Sequence, residues 1–143
     1  MPGIKAFGAL AALLVHVPSV ACPGLGLQDG WIRDAPPGAM MTAGYARLRN
    51  DGKQLLRVDG AASVDYGSVE LHRTVVEQGL SRMQHGQPLV LAPGASAALD
   101  PGGWHLMLMR PTRELKPGDV VTVSLSCAGA SSAFPFTVRA ATE

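Results

Sequence analysis

The sequence predicts an all-β protein built as a single β-sandwich or Greek-key barrel. Two observations predict this class. Glycine (17 residues) and proline (11 residues) are plentiful and separate many short apolar runs. Within those runs apolar residues follow the period of two that is typical of strands, and helical periodicity is weak. A chain of 143 residues is long enough for one domain with a real hydrophobic core.

The predicted strands follow one another at short intervals. They cover residues 29–35, 42–49, 55–61, 68–77, 80–83, 89–91, 95–99, 103–110, 120–126 and 134–139. Asn50-Asp51-Gly52 and Gln78-Gly79 indicate tight turns between neighbouring strands. In the strand over 120–126, Val121, Val123 and Leu125 alternate with hydroxyl residues, so we expect these three side chains to share one face.

Residues 1–21 have the features of a signal peptide. Lys5 supplies a positive charge, residues 6–17 form an apolar stretch that is short for a membrane span, and small residues occupy positions 19–21. Cleavage after residue 21 predicts an exported, periplasmic protein. We expect an N-terminal arm over residues 22–29 and one domain over 30–140. We expect no transmembrane segment after cleavage.

Cys22 and Cys127 are the only cysteines in the sequence. In an oxidising compartment the two can form a disulfide that ties the N-terminal arm to the domain. Cys22 would also be the first mature residue, which is where a bacterial lipoprotein carries its lipid. Ser19, however, replaces the apolar residue expected three positions upstream. Both fates of Cys22 remain open from the sequence.

Composition excludes several function classes. The net charge is +1 and the sequence has no basic stripe, so we expect no binding of nucleic acid. The sequence contains no Gly-x-Ser-x-Gly or His-Glu-x-x-His motif and no phosphate-binding glycine loop. Acidic residues are scattered rather than paired near the histidines. We therefore predict that the protein is not an enzyme.

The strand over residues 103–110 has one unusual face. Because strand side chains alternate, His105, Met107 and Met109 share a face, and Trp104 lies on the opposite one, where we expect it to pack in the core. An imidazole beside two thioethers is an odd composition for a core and suits a soft metal ion. This face is therefore the first part of a predicted metal site.

A second pair of donors precedes this strand. His72 lies in the strand over 68–77 and Met83 lies just past the following turn, so a hairpin can bring them together. Two imidazoles and two thioethers form a neutral set that suits Cu(I), whereas Zn²⁺, Ca²⁺ and Mg²⁺ prefer other ligands. A site without a thiolate should release copper to a stronger sulfur site, which favours a carrier. Met109 and His85 stay open as assisting residues, although packing is the expectation for Met109 and solvent exposure for His85.

The spacing of these donors is specific. Ten residues separate His72 from Met83, and twenty-one separate Met83 from the His105-Leu106-Met107 segment. With this spacing the sequence resembles the periplasmic copper chaperones of the PCuAC family, roughly over residues 30–138. The resemblance extends to these segments: Ala35-Pro36-Pro37-Gly38, Ala43-Gly44-Tyr45, Val69-Glu70-Leu71-His72 and Leu115-Lys116-Pro117-Gly118-Asp119.

The resemblance implies a fold, a cargo and partners. The fold is a cupredoxin-like β-sandwich that binds one Cu(I) per chain. The implied ligands are His72, Met83, His105 and Met107. The implied function is copper homeostasis, with delivery of copper during cytochrome c oxidase assembly. The recipient would be a Sco-type thioredoxin-like assembly factor or the Cu(A) subunit of the oxidase, and we expect the chaperone to be a monomer.

The alternative hypothesis is an exported, metal-free β-sandwich that serves as an adhesion or scaffold domain. In that case the histidines are polar residues at a sheet edge, and the methionines fill gaps in the packing. This hypothesis predicts the same thermal midpoint with and without Cu(I), because only a ligand that binds the folded state stabilises it.

Overall fold

The computed structural model describes residues 2–4, 8, 12–13 and 20–141. Most of the predicted signal peptide, residues 1–21, therefore lies outside the described residues. Regular secondary structure in the described part of the chain consists of strands, which confirms the predicted all-β class. Among the described residues, no helix has the length and apolar character needed to cross a membrane.

The described residues form eleven strands. These are β1 (Leu25–Arg33), β2 (Met41–Asn50), β3 (Leu56–Val58), β4 (Gly60–Ala62), β5 (Tyr66–Glu77), β6 (Leu80–His85), β7 (Leu89–Leu91), β8 (Ser96–Leu99), β9 (Trp104–Pro111), β10 (Val120–Cys127) and β11 (Ala130–Arg139). Nine of them form one sheet in the order β4-β10-β11-β1-β2-β8-β9-β5-β6, and β4 also pairs with β5. This pairing closes the sheet into a barrel, while β3 and β7 form a separate two-stranded sheet.

The first strand begins earlier than predicted. β1 starts at Leu25, which pairs with Asn50 of β2, so residues 25–29 belong to the sheet rather than to a free arm. The register shifts between Gln28 and Trp31, and Asp29 in this bulge has a positive φ of 54°. A bulge interrupts the alternation of side chains, so the start of this strand was not evident from its pattern.

Two other strand bounds also differ from the prediction. The single strand expected over 55–61 breaks at Asp59, so that β3 pairs with β7 while β4 pairs with β10 and β5. β11 begins at Ala130, four residues earlier than expected. Its two-residue turn explains this start, since Ala128 and Gly129 both have positive φ and thereby join β10 directly to β11.

Alternating side chains of the strands fill the inside of the barrel. The largest fully buried apolar side chains are Phe136, Ile32, Leu48, Leu106, Leu108, Leu125, Val58, Val121 and Val123. The alternation in β10 therefore faces the core as predicted. Core residues alternate with other residues over Val69–Leu71 of β5 and Leu106–Leu108 of β9, so the residues between and beside them lie on the outer face of the barrel.

Cys22 and Cys127 form a disulfide, which joins the segment before β1 to the end of β10. Both residues are buried, and the backbone N–H of Cys22 donates a hydrogen bond to Ser132 Oγ at 2.9 Å. The structure thus contains the first of the two fates predicted for Cys22. A sulfur atom in a disulfide cannot at the same time form the thioether of a lipid anchor.

Candidate metal centre

The candidate site lies on the outer face of three neighbouring strands, β6, β5 and β9. His72 of β5 pairs with His105 of β9 on one side and with His85 of β6 on the other. Directly paired residues of antiparallel strands present their side chains on the same face. The three imidazoles consequently form a row across the strands, while Leu71 and Leu106 point into the core.

The row is shielded unevenly from solvent. The ring centroid of His72 lies 6.0 Å from that of His105 and 5.9 Å from that of His85. His72 and His105 are only 8% and 6% exposed although they lie outside the barrel core, whereas His85 is exposed. Two histidines of the predicted site are therefore buried side by side, and the third extends the row into solvent as predicted.

Met83 reaches His72 across the β5–β6 hairpin. Met83 pairs with Thr74, which lies two residues after His72 and on the same face of β5. Its Sδ nevertheless lies 3.2 Å from His72 Nδ1, because a long side chain spans the diagonal between neighbouring strands. Met83 is 53% exposed, so its thioether forms the solvent side of the cluster.

The two remaining thioethers lie along β9. Met107 pairs with Glu70. This pair lies two residues along the strands from the pair formed by His72 and His105, and on the same face. Met109 lies one step further away, opposite Ser68, and both methionines are half-buried. The structure thus brings Met107 beside the histidines and places Met109 farther along the strand.

Hydrogen bonds favour one tautomer of each buried histidine. His105 Nδ1 lies 3.0 Å from the carbonyl oxygen of Gly103, and His72 Nε2 lies 2.7 Å from Glu70 Oε2. Carbonyl and carboxylate oxygens only accept hydrogen bonds, so in the neutral ring these two nitrogens are the donors, and Nδ1 of His72 faces only the weakly accepting thioether of Met83. The lone pairs left for a metal are therefore on Nε2 of His105 and on Nδ1 of His72.

His, Cys, Asp and Glu side chains alone do not form a metal site among the described residues of this region. In the described part of the chain, no three His, Cys, Asp or Glu side chains cluster in a way that could hold a metal ion. Any metal bound here would therefore depend on the thioethers. A cleft of about 280 Å³ is lined in part by Glu70 and His85, two residues that adjoin the cluster.

Glu70 was not predicted from the sequence as part of the site. It lies two residues before His72, and strand alternation alone places the two side chains on the same face. That spacing was a usable indication, because a carboxylate beside a ligand histidine is a common arrangement. Trp104, in contrast, is partly buried against the core as predicted, with the Arg73 guanidinium 5.4 Å from its ring centroid.

A separate cavity of about 100 Å³ lies towards the other end of β9, where Tyr66 pairs with Pro111. Tyr66 lines this cavity together with the Pro36-Pro37 turn. Burial and, secondarily, the neighbouring Asp65 carboxylate raise the pKa of Tyr66 to about 12. Arg113 donates a hydrogen bond to Asp65 at 2.8 Å, which raises the pKa of the guanidinium further.

The model of one protein family, described as "Putative lipoprotein LpqE-like", matches residues 25–138. The chain belongs to this LpqE-like family. A "Putative lipoprotein" of Leifsonia xyli subsp. xyli is 32% identical to the LpqE-like chain over 123 residues, covering 81% of the chain and 73% of the relative.

Solved structures share the fold of the LpqE-like chain. The copper-bound PCuAC domain from PmoF2 superposes with a TM-score of 0.68 at 19% identity, covering 87% of the chain and 99% of that domain. Apo-DR1885 from Deinococcus radiodurans superposes with a TM-score of 0.64 at 26% identity, covering 98% of the chain and 94% of DR1885. The CuI form of DR1885 has a TM-score of 0.61 at 26% identity, with coverages of 91% and 84%. The predicted PCuAC resemblance and its cupredoxin-like all-β fold are thereby confirmed.

Proposed function

We propose that this LpqE-like protein is an exported copper chaperone that binds one Cu(I) through His72, Met83, His105 and Met107. The observation that carries the proposal is the 3.2 Å approach of Met83 Sδ to His72 Nδ1, next to the buried ring of His105. The copper-bound PmoF2 domain and CuI-DR1885, which share the fold, support copper as the cargo.

The separation of the donor atoms is compatible with a shared ion. A nitrogen and a sulfur bound to one tetrahedral ion, at about 2.0 and 2.3 Å from it, lie roughly 3.5 Å apart. The His72 nitrogen and the Met83 sulfur lie 3.2 Å apart, close to this value. In the neutral ring that donates from Nε2 to Glu70, the nitrogen that faces Met83 is the one without a proton. Little rearrangement is therefore needed before these two groups bind an ion.

The chemistry of the four side chains selects Cu(I). Thioethers are soft neutral donors that suit Cu(I), and imidazole suits copper in either oxidation state. Zn²⁺ is disfavoured because methionine is not among its usual ligands. Ca²⁺ and Mg²⁺ need several oxygen ligands, and none of the four proposed ligands supplies an oxygen atom.

Exposure of Met83 supports transfer by ligand exchange. A thiolate of a recipient can approach on the side where Met83 is 53% exposed and displace this thioether first. The two buried histidines would release the ion last, and copper would remain Cu(I) throughout. We propose a Sco-type assembly factor or the Cu(A) subunit of cytochrome oxidase as the recipient. We also propose that the chaperone is a monomer and that it is not an enzyme.

The lipoprotein description of the family and the disulfide both support export. We therefore propose that the protein acts in the periplasm. The oxidising environment would keep Cys22 and Cys127 paired, so that neither thiol competes with the proposed site for copper.

Anaerobic titration of the mature protein with Cu(I), against a chromogenic chelator, tests the binding. We expect one equivalent to bind tightly, and a His105→Ala/Met107→Ala double variant to lose that binding. A Met40→Leu variant is the matched control, because Met40 is exposed and lies outside the cluster. If the wild-type protein does not compete with the chelator, the four residues serve packing, and the metal-free scaffold hypothesis is the better one.

Delivery needs its own test. Copper-loaded protein is mixed under anaerobic conditions with a reduced Sco-type protein or a soluble Cu(A) domain, the two are separated, and copper is measured in each. Transfer to one of them supports the proposed recipient. Retention of copper by the chaperone with both recipients would overturn delivery and leave the binding result unchanged.

A further inference from the structure

Glu70 contacts the site without belonging to the proposed ligands. Its Oε2 lies 2.7 Å from His72 Nε2, and its position on β5 is directly opposite Met107 of β9. The carboxylate side chain is 48% exposed, while the imidazole it contacts is 10% exposed. The Glu70 carboxylate therefore contacts the buried ring of His72 from the side that faces solvent.

The contact determines which nitrogen of His72 is available. A neutral imidazole carries one N–H, and the carboxylate of Glu70 accepts it from Nε2. Nδ1 is then left with its lone pair directed towards Met83 Sδ. Without an acceptor at Nε2, the proton can move to Nδ1, and a metal ion must displace it before His72 can bind.

His105 is oriented differently. Its Nδ1 donates to the main-chain carbonyl of Gly103 in the turn before β9, so this ring is held by the backbone. His72 depends on a side chain for the same purpose, and a single substitution can remove it. The two histidines thus present different nitrogens to a metal ion, Nδ1 of His72 and Nε2 of His105. A side-chain contact determines the first and a main-chain contact the second, so the two can be tested separately.

We propose that Glu70 is a positioning residue for copper: it holds His72 in the tautomer that presents Nδ1, and its negative charge lies beside a neutral ligand set that receives a cation. The inference rests on the proposed function, since it assumes that His72 is a ligand. Partners of ligand histidines typically contribute 10–100-fold to metal affinity. Glu70 makes the affinity of the site higher than its four ligands alone would give.

Two substitutions separate the hydrogen bond from the charge. Glu70→Gln keeps an oxygen that can accept from Nε2 but removes the charge, and Glu70→Ala removes both. Chelator competition should show Cu(I) affinity about 10–100-fold lower for Glu70→Ala and a smaller loss for Glu70→Gln. Glu77→Ala is the matched control, because Glu77 is an exposed residue of the same strand at the tip of the hairpin and alternates to the other face. Equal affinity of Glu70→Ala and wild type would overturn the proposal.

NMR of the histidine ring nitrogens in the metal-free protein provides a readout that does not depend on copper. We expect the Nε2–H tautomer for His72 in the wild type and in Glu70→Gln, and a shift towards Nδ1–H in Glu70→Ala. His105 should remain Nδ1–H in all three and serves as an internal reference. A wild-type His72 protonated on Nδ1 would overturn the proposal. Failure of the wild type to bind Cu(I) would instead refute the proposed function, so the two failures are distinguishable.

Discussion

Met83 Sδ lies 3.2 Å from His72 Nδ1, although the residue that pairs with Met83 across the hairpin is Thr74. The contact is diagonal and depends on the register of β5 with β6. Shifting this register by one residue would turn the Met83 side chain to the opposite face of the hairpin. The two-residue turn at Gln78-Gly79, where both residues have positive φ, is therefore part of what builds the site.

Replacing Met83 with leucine should abolish tight Cu(I) binding and leave the fold intact. The two side chains have similar volume, and Met83 is half-exposed, so we expect stability to change by less than about 1 kcal/mol. Loss of a ligand should lower affinity by more than about 100-fold, beyond the effect of losing a ligand's partner. Chelator competition and thermal unfolding measure the two effects. Unchanged affinity would exclude Met83 as a ligand, and Met40→Leu is the control for a general effect of losing a thioether.

Gly79→Val should weaken copper binding through the register of the hairpin. Gly79 has φ of +76°, a conformation that costs a residue with a side chain about 1–2 kcal/mol, although open space surrounds the position. If the hairpin frays to relieve this strain, Cu(I) affinity falls by up to about tenfold. Gly129→Val is the matched control, because Gly129 has φ of +84° in the β10–β11 turn away from the site. It should destabilise the fold similarly while keeping the affinity, and equal losses of affinity in both variants would contradict the role of the register.

The disulfide between Cys22 and Cys127 should leave the non-reduced protein without titratable thiols. The bond closes a loop with a sequence separation of 105 residues. A Cys22→Ser/Cys127→Ser variant should therefore lose about 2–5 kcal/mol of unfolding free energy, measured by urea denaturation. Two reactive thiols in the non-reduced protein, or a lipid on the Cys22 sulfur found by mass spectrometry, would contradict the pairing.

Tyr66 should make stability fall at alkaline pH. Its pKa in the folded state is raised to about 12 from its ordinary value of 10.0, chiefly by burial. Between these values the unfolded chain loses the phenol proton while the folded chain keeps it, so the unfolding free energy decreases as pH rises. Absorbance of tyrosinate should show one tyrosine ionising near pH 12, and Tyr66→Phe should remove both that transition and this part of the pH dependence. A Tyr66 phenol that ionises near the ordinary tyrosine pKa of 10.0 would contradict the prediction.

Much of the fold was predictable from local patterns. In β10, the alternation of Val121, Val123 and Leu125 with hydroxyl residues identified the core face, and all three side chains are fully buried. The expected proximity of His72 and Met83 followed from a short turn between two strands, and the structure brings their side chains into contact. Each of these features depends on residues close together in the chain.

Other features were beyond the sequence pattern. The break at Asp59 separates β3 from β4 because the two segments pair with different strands, and a single apolar run does not reveal its partners. The bulge in β1 concealed the start of that strand at Leu25 for a similar reason. The choice between a lipid and a disulfide for Cys22 also depended on where Cys127 lies in space.

The sequence by itself determined the class of the fold and indicated the candidate donor residues, because strand alternation and turn chemistry are local properties. The tertiary structure decided how these candidate residues meet. It aligned His72 with His105, brought Met83 in along a diagonal, and placed Glu70 against the ring nitrogen that faces away from Met83. These relationships follow from the register between strands, which depends on pairing across the whole sheet and on the distances between individual atoms.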